Sequence, residues 1–271
     1  MIKTLNQIVL FLFVAVWVMP LPVKAQSTDM WWQQSSLADS VRNLQFHAVG
    51  KYSLTRMQGV ISGKMNSGDI LLVTRKDIFT NSANGGFDLF NLNLKSINSL
   101  NYATKAYYFT DYLDVDVSKL IFAQLGFIWE RDDALLLQNR YTLYGGLGIN
   151  TSTFKKLKLK SLIAMGRIDQ EYMIPVEEIN VVKKPFTAFY TVHKGMYAII
   201  PGVSLSGKFY YFIDLEEKDR YRYGYNLNLV VSLTKHLNLV VGYNYRFDKE
   251  LVLLGLIPDN SMQNIGIEVS L

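Results

Sequence analysis

Hydrophobic residues recur at every second position over much of this chain. In 237–247, Leu237, Leu239, Val241, Tyr243, Tyr245 and Phe247 alternate with Asn238, Val240, Gly242, Asn244 and Arg246. The preceding stretch, 223–233, sets Tyr223, Tyr225, Leu227, Leu229, Val231 and Leu233 against Gly224, Asn226, Asn228, Val230 and Ser232. In 137–150 the apolar series is Leu137, Tyr141, Leu143, Leu147 and Ile149, with Asn139 and Gly145 as exceptions. The last residues repeat the pattern, with Ile265, Ile267, Val269 and Leu271 against Asn264, Gly266, Glu268 and Ser270. A period of two puts successive side chains on opposite faces of a β-strand.

Counting from the C-terminus, the pattern predicts strands near 262–271, 236–247, 221–233, 208–215, 185–205, 155–173, 136–150, 119–131, 103–113, 87–95, 68–78 and 44–65. Gly59, Gly63, Gly195 and Pro201 mark places where a long segment can bulge or break. The count is twelve; ten and fourteen also fit. Two architectures accept such strands. A soluble sandwich hides the apolar face and wets the other. A transmembrane barrel turns it to lipid. Strand length favours the barrel, because crossing a bilayer takes roughly 9–11 tilted residues while soluble strands cluster near about 5–6. So do the aromatics near strand ends, Trp129, Tyr172, Tyr221, Tyr223, Tyr243 and Tyr245, which suit a headgroup girdle. The connections also alternate: Thr234–His236 and Ser206–Lys208 read as tight turns, 248–260 and 176–185 as long loops. The fold expected is an all-β, antiparallel, up-and-down transmembrane β-barrel over 44–271. An even strand number puts both ends on the periplasmic side.

Composition narrows the chemistry. With no cysteine among 271 residues, disulfides, thiolate metal sites and a cysteine nucleophile are excluded. Charged residues are 19%, below the roughly 25% of soluble domains. The net charge of +5 is not gathered into a basic stripe, so nucleic acid is not an expected partner. At the N-terminus, Lys3, the apolar run from Ile8 to Met19 and Val23-Lys24-Ala25 read as a secretory signal peptide over 1–25. A polar leader follows over 26–43, with a short helix near 34–42. The octet Asn264–Leu271 looks like the C-terminal signal read by the barrel-assembly machinery, with Leu where Phe is most usual.

The run from Phe122 to Ile149 contains Glu130-Arg131-Asp132, Asn139-Arg140-Tyr141 and Gly145-Gly146-Leu147-Gly148. It resembles the salt-induced outer membrane proteins, in which an acidic-basic-acidic turn is followed by an Arg and a G-x-G strand. The resemblance extends over about 100–271. It implies an outer-membrane barrel and supplies neither substrate nor catalytic residues. The family's Gly-Asn turn after the first strand has no clear counterpart; Gly63-Lys64 or Ser67-Gly68 can stand in for it.

Candidate chemistry is sparse. His47, His193 and His236 are the only bases suited to a lipid hydrolase, and no nucleophile signature accompanies them. Asp114 and Asp116 offer part of the oxygen set of a calcium loop but read better as a solvated turn. Glu130–Asp133 and Glu216–Asp219 read as outside loops, able to meet lipopolysaccharide phosphates through divalent cations. Lys155, Lys156, Lys158 and Lys160 suit anionic headgroups on the periplasmic side. Gln138, Arg140, Asn226, Asn228, Asn238, Asn244, Arg246 and Glu268 share the polar parity and are expected to face the lumen. No cofactor or metal is expected. The function expected is a monomeric, non-enzymatic outer-membrane protein of structural or envelope-stress type, in contact with outer-membrane lipid and lipopolysaccharide. A narrow pore for ions or small solutes and a lipid-modifying enzyme are the alternatives.

Overall fold

A computed structural model describes residues 44–57, 61–94, 100–133, 137–154, 156–173, 185–253 and 259–270. The stretches expected as a signal peptide, a polar leader and a short helix lie outside the described residues. Twelve strands form the wall: β1 (Gln45–Met57), β2 (Ile61–Lys76), β3 (Phe79–Leu94), β4 (Leu100–Asp116), β5 (Ile121–Asp132), β6 (Leu137–Phe154), β7 (Leu157–Tyr172), β8 (Phe186–Ile200), β9 (Val203–Asp214), β10 (Tyr221–Ser232), β11 (Leu237–Asp248) and β12 (Asp259–Ser270). A one-turn helix, α1 (Glu250–Leu253), follows β11. Each strand pairs antiparallel with its sequence neighbours, and β1 pairs with β12 to close the barrel, from Val49 opposite Ser270 to Leu54 opposite Ile265. The closed wall excludes the sandwich.

The wall alternates as lipid immersion requires. On β6, Tyr141, Leu143, Leu147 and Ile149 are exposed on the outer face, while Arg140, Thr142, Tyr144, Gly148 and Asn150 are buried inside. Leu147 is 63% exposed and Ile163 of β7 is 57% exposed, and neither has a protein partner to cover it. The outer face of β7 is apolar from Leu157 to Met165 but for Ser161, and turns charged at Arg167, Asp169 and Glu171. At a rise of about 3.3 Å and the usual tilt, such a run of nine residues makes a belt roughly 20 Å tall. Along β10 and β11 the belt ends in stacked rings, with Tyr223–Phe247 and Tyr225–Tyr245 centroids 5.1 and 5.2 Å apart. This is the exterior of a transmembrane barrel.

The two rims differ. On the rim where β1 begins and β12 ends, the chain-end rim, the connections are two to four residues long; on the far rim they reach thirteen, between β7 and β8. Pro201-Gly202 joins β8 to β9, with Gly202 at φ 84°, the backbone region that favours glycine. Asp77 takes φ 54° in the two-residue turn between β2 and β3.

These turns correct four sequence expectations. Ser206–Lys208 is not a turn but the middle of β9. Residues 79–86 are strand, because the chain reverses at Asp77-Ile78. The segment 44–65 is two strands, and both Gly63-Lys64 and Ser67-Gly68 lie within β2. Leu137 and Tyr172 are register partners on the inner side: Leu137 is 1% exposed there, although the alternation put it outside. A β-bulge between Leu137 and Asn139 flips the parity at Leu137, while Asn139 stays on the outer face opposite Glu171, above the apolar belt.

Inside, one wall carries a small apolar core. Phe122, Tyr144, Leu162, Ala164 and Val192 pack together from β5, β6, β7 and β8. The Phe122 ring lies where a Cβ at Gly148 would stand, and the Tyr144 ring covers Gly126. Glycine on the inner face therefore makes room for rings that fill the bore.

Replacing Leu147 by Arg should destabilise the barrel in a lipid bilayer by about 2–4 kcal/mol, the cost of a cation on a lipid face. Denaturant titration in vesicles checks this. A change within about 0.5 kcal/mol, the ordinary cost at a water-exposed site, would contradict a lipid-facing wall.

Candidate functional site

The inward faces meet in two layers of charged side chains separated by a cavity. The layer toward the far rim centres on Arg140, which is 3% exposed. Register places Arg140 opposite Glu130, and their side chains lie 3.6 Å apart. Arg222 reaches the same Glu130 carboxylate at 3.6 Å. Arg140 Nε also donates to Gln170 Oε1 at 3.0 Å, and Gln170 Nε2 donates to Glu250 Oε1 at 2.7 Å. Asp248 lies 4.0 Å from Arg140 and 3.5 Å from Arg246. Glu250 belongs to α1, so the segment after β11 folds inward and docks against β6 and β7, with Leu251 buried beneath it. Beside this layer, Arg220 ties the β9–β10 turn down through Asp214 at 3.8 Å and Glu217 at 3.0 Å.

The second layer lies toward the rim with the chain ends. Lys160 Nζ donates to Asp114 Oδ2 at 2.5 Å and sits 4.3 Å from the Phe122 ring centroid. Gln124 Nε2 donates to Asp114 Oδ1 at 2.6 Å, and Tyr144 Oη donates to Gln124 Oε1 at 3.1 Å. Arg75 and Asp116 pair at 3.6 Å. Because Asp114 is on β4 and Lys160 on β7, this contact bridges over β5 and β6 and braces that side of the bore.

Between the layers lies a cavity of about 430 Å³. Tyr108, Tyr112, Tyr190 and Tyr210 line it together with Lys194, Lys208, Asn226 and Asn228. Arg222 and Arg246 line it toward the far layer, Lys160 toward the near one. Glu130 is the one carboxylate among these lining residues.

The eight residues singled out by parity distribute as follows. Asn226, Asn228 and Arg246 line the cavity. Asn226 Nδ2 donates to Asn244 Oδ1, and Asn228 Nδ2 donates to Asn226 Oδ1 at 2.5 Å. Asn238 Nδ2 donates to Glu268 Oε1 at 3.0 Å. Arg140 is the hub of the far layer. Gln138 sits in the bulge, half-buried, and joins none of these contacts.

Several other expectations are corrected. Asp114 is not in a solvated turn; it is buried in the bore and held by Lys160. Lys160 does not face headgroups, since even positions of β7 point inward. Glu130 is not in an outside loop but in β5, paired to two guanidinium groups. Among the described residues no group of three His, Cys, Asp or Glu side chains converges to hold a metal. Lys194 and Lys208 escaped sequence reading because the misplaced turn broke the parity at Lys208; the parity of Asn226, carried across β9, would have found both.

The histidines fall at three different places. His47 is half-buried on the inward parity of β1, and His236 is exposed in the β10–β11 turn. His193 is on the outer face, with Nδ1 3.0 Å from Ser161 Oγ and Nε2 3.1 Å from Thr191 Oγ1. A nucleophilic serine needs its histidine oriented by a third group and a nearby oxyanion site. Here both ring nitrogens meet hydroxyls in mid-belt, an arrangement that satisfies a polar ring in hydrocarbon. A second polar break in the belt is Asp111, which accepts from Asn81 Nδ2 at 2.8 Å.

The family described as "Protein of unknown function, DUF481" matches residues 90–267, and the chain belongs to it. No curated protein matches the sequence. Solved structures similar to the chain include an outer membrane channel from Pseudomonas putida F1, at 9% identity and TM-score 0.49, covering 83% of this chain and 95% of that one. The translocator domain of the autotransporter NalP from Neisseria meningitidis is 15% identical with TM-score 0.43, covering 86% and 91%. The KdgM porin is 9% identical with TM-score 0.48, covering 83% and 99%.

Arg140→Met should cost about 3–5 kcal/mol, because it removes the buried cation that Glu130, Asp248 and Glu250 share and leaves Arg222 and Arg246 to hold only the first two. Glu250→Gln, which keeps the hydrogen bond to Gln170, should cost far less. Unfolding of both variants in detergent measures the difference.

Proposed function

We propose that this DUF481 protein is an integral outer-membrane barrel whose lumen is a narrow, ion-pair-lined conduit for small solutes, and that it is not an enzyme. The observation that carries this reading is the cavity held between the two charged layers. A purely structural barrel has no need of interior space, and filling it with apolar side chains would avoid the desolvation of so many charges. Space of about 430 Å³ lined by tyrosines, amides and cations suits the passage or holding of something small and polar.

The layers act as filters rather than walls. Guanidinium, carboxylate and amide groups exchange hydrogen bonds among themselves or with a passing solute at similar cost, whereas a packed apolar plug would have to be displaced. The inward-folded α1 segment, with Glu250 and Leu251 buried, narrows the bore toward the far rim.

Placement in the outer membrane is supported by the closed wall, the apolar belt, the short turns beside the chain ends and the signal-peptide pattern of 1–25. On this reading the far rim faces outside, where Arg131, Arg167, Asp169 and Glu171 stand above the belt within reach of lipopolysaccharide phosphates and their bridging cations. Asn264–Leu271 serves the barrel-assembly machinery, and closure of β1 on β12 leaves a monomer without an open edge. Against lipid hydrolysis, His193 is placed in mid-belt, away from the ester bonds at the interface.

Cell fractionation should find the protein in the outer membrane with heat-modifiable gel migration. In planar bilayers it should give small unitary conductance events, and the double variant Glu250→Ala/Leu251→Gly should enlarge them by about 2-fold or more by loosening the far mouth. Absence of events in both proteins would remove the conduit.

A further inference from the structure

The cavity has one feature that wall-building does not explain. Lys194 of β8 and Lys208 of β9 are direct register partners, and both line the cavity. Like charges directly opposite each other on one face of a sheet are destabilising, and sequences ordinarily avoid them. Here the face lines the cavity, with Lys194 half-buried and Lys208 exposed to it. A local rule broken at an interior site points to function.

The surroundings fit a negatively charged guest. Lys208 is in register with Asn226, and Asn226 with Asn244, so two ammonium groups and two amides stand side by side across four strands. One level nearer the chain ends, Ser206 is in register with Asn228, and both line the cavity. Lys194 Nζ lies 5.4 Å from the ring centroid of Tyr112, which comes from β4 across the bore. Lys208 Nζ lies 5.9 Å from the Tyr210 centroid. The acids of the flanking layers are engaged: Glu130 by Arg140 and Arg222, Asp114 by Lys160 and Gln124.

We infer that Lys194 and Lys208 form an anion-binding site inside the barrel, which takes a compact solute bearing a carboxylate, phosphate or sulfate group together with hydroxyls. The two ammonium groups hold the anionic group. Asn226, Asn228 and Ser206 offer hydrogen bonds to hydroxyls, and the tyrosine rings flank the solute body. This deepens the conduit reading by naming the class of solute it favours, but the binding itself does not require conduction.

The test uses the full-length barrel purified in detergent, with inorganic phosphate as probe and chloride at equal ionic strength as reference. Phosphate should raise the thermal midpoint of the wild type in a saturable way. Lys208→Gln should weaken binding by at least tenfold, on the scale of a lost charged contact. The double variant Lys194→Gln/Lys208→Gln should lose it, while Lys208→Arg and the exposed-turn variant Lys235→Gln should keep it. In chloride alone, Lys208→Gln should melt above the wild type, because it relieves the opposed charges; a merely structural lysine would give the reverse order. Phosphate stabilisation that survives in the double variant, or a wild type indifferent to phosphate, sulfate and succinate alike, overturns the proposal. Binding without bilayer conductance would leave the site standing and remove the conduit; conductance without binding would do the opposite.

Discussion

A peptide group in hydrocarbon has no water to bond, and every feature of this barrel follows from that. Each unpaired N–H or C=O there costs several kcal/mol, so a sheet that enters lipid must have no edge. Closure of β1 on β12 meets the requirement. Closure with neighbouring strands antiparallel makes the number of strands even and brings both chain ends to one rim. It also inverts the usual burial rule: the exposed positions include many Leu, Ile and Phe, and the buried ones include Arg, Lys, Asp and Glu.

The interior then poses a different problem. A bore lined by inward side chains from twelve strands is too wide to be sealed by one apolar cluster and too narrow to be filled with bulk-like water. The chain answers with pairing. Arg140, Arg222 and Arg246 share Glu130, Asp248 and Glu250, and Lys160 is matched to Asp114. Such pairs gain little over an apolar core in stability, since desolvation offsets most of the attraction. What they supply is definition: a guanidinium fork accepts few partners in few geometries. The Glu130–Arg140 register pair and the inward glycines are also the residues by which the central motif was legible, so that motif describes an interior ion pair and the room made for Phe122 and Tyr144.

Fold class was readable because period two is imposed by lipid along a whole strand. Individual boundaries were less so. Pro201-Gly202 is a turn by backbone geometry, yet Ser206-Gly207-Lys208 offered another glycine between polar residues five positions later, and only pairing with β10 decides between them. Asp77 takes a turn conformation that sequence alone rarely assigns to it. Leu137 shows the other limit, for one inserted residue reverses inside and outside for everything on one side of it. The charged layers were the least legible part. Asp114 and Lys160 lie far apart in sequence and on strands that are not neighbours, so no local pattern could join them; each alone resembled an ordinary surface charge.

The belt has a consequence for where such a protein can reside. Its height of roughly 20 Å falls short of a typical hydrocarbon core of about 30 Å, and the bacterial outer membrane is thinner than average. A thick leaflet would have to pinch inward around the wall, at a cost that grows with every ångström of mismatch. Two such barrels would share that deformation by moving together. Bilayer thickness, with no receptor and no specific contact, is thus enough to sort this molecule among membranes and to set how crowded it becomes within one.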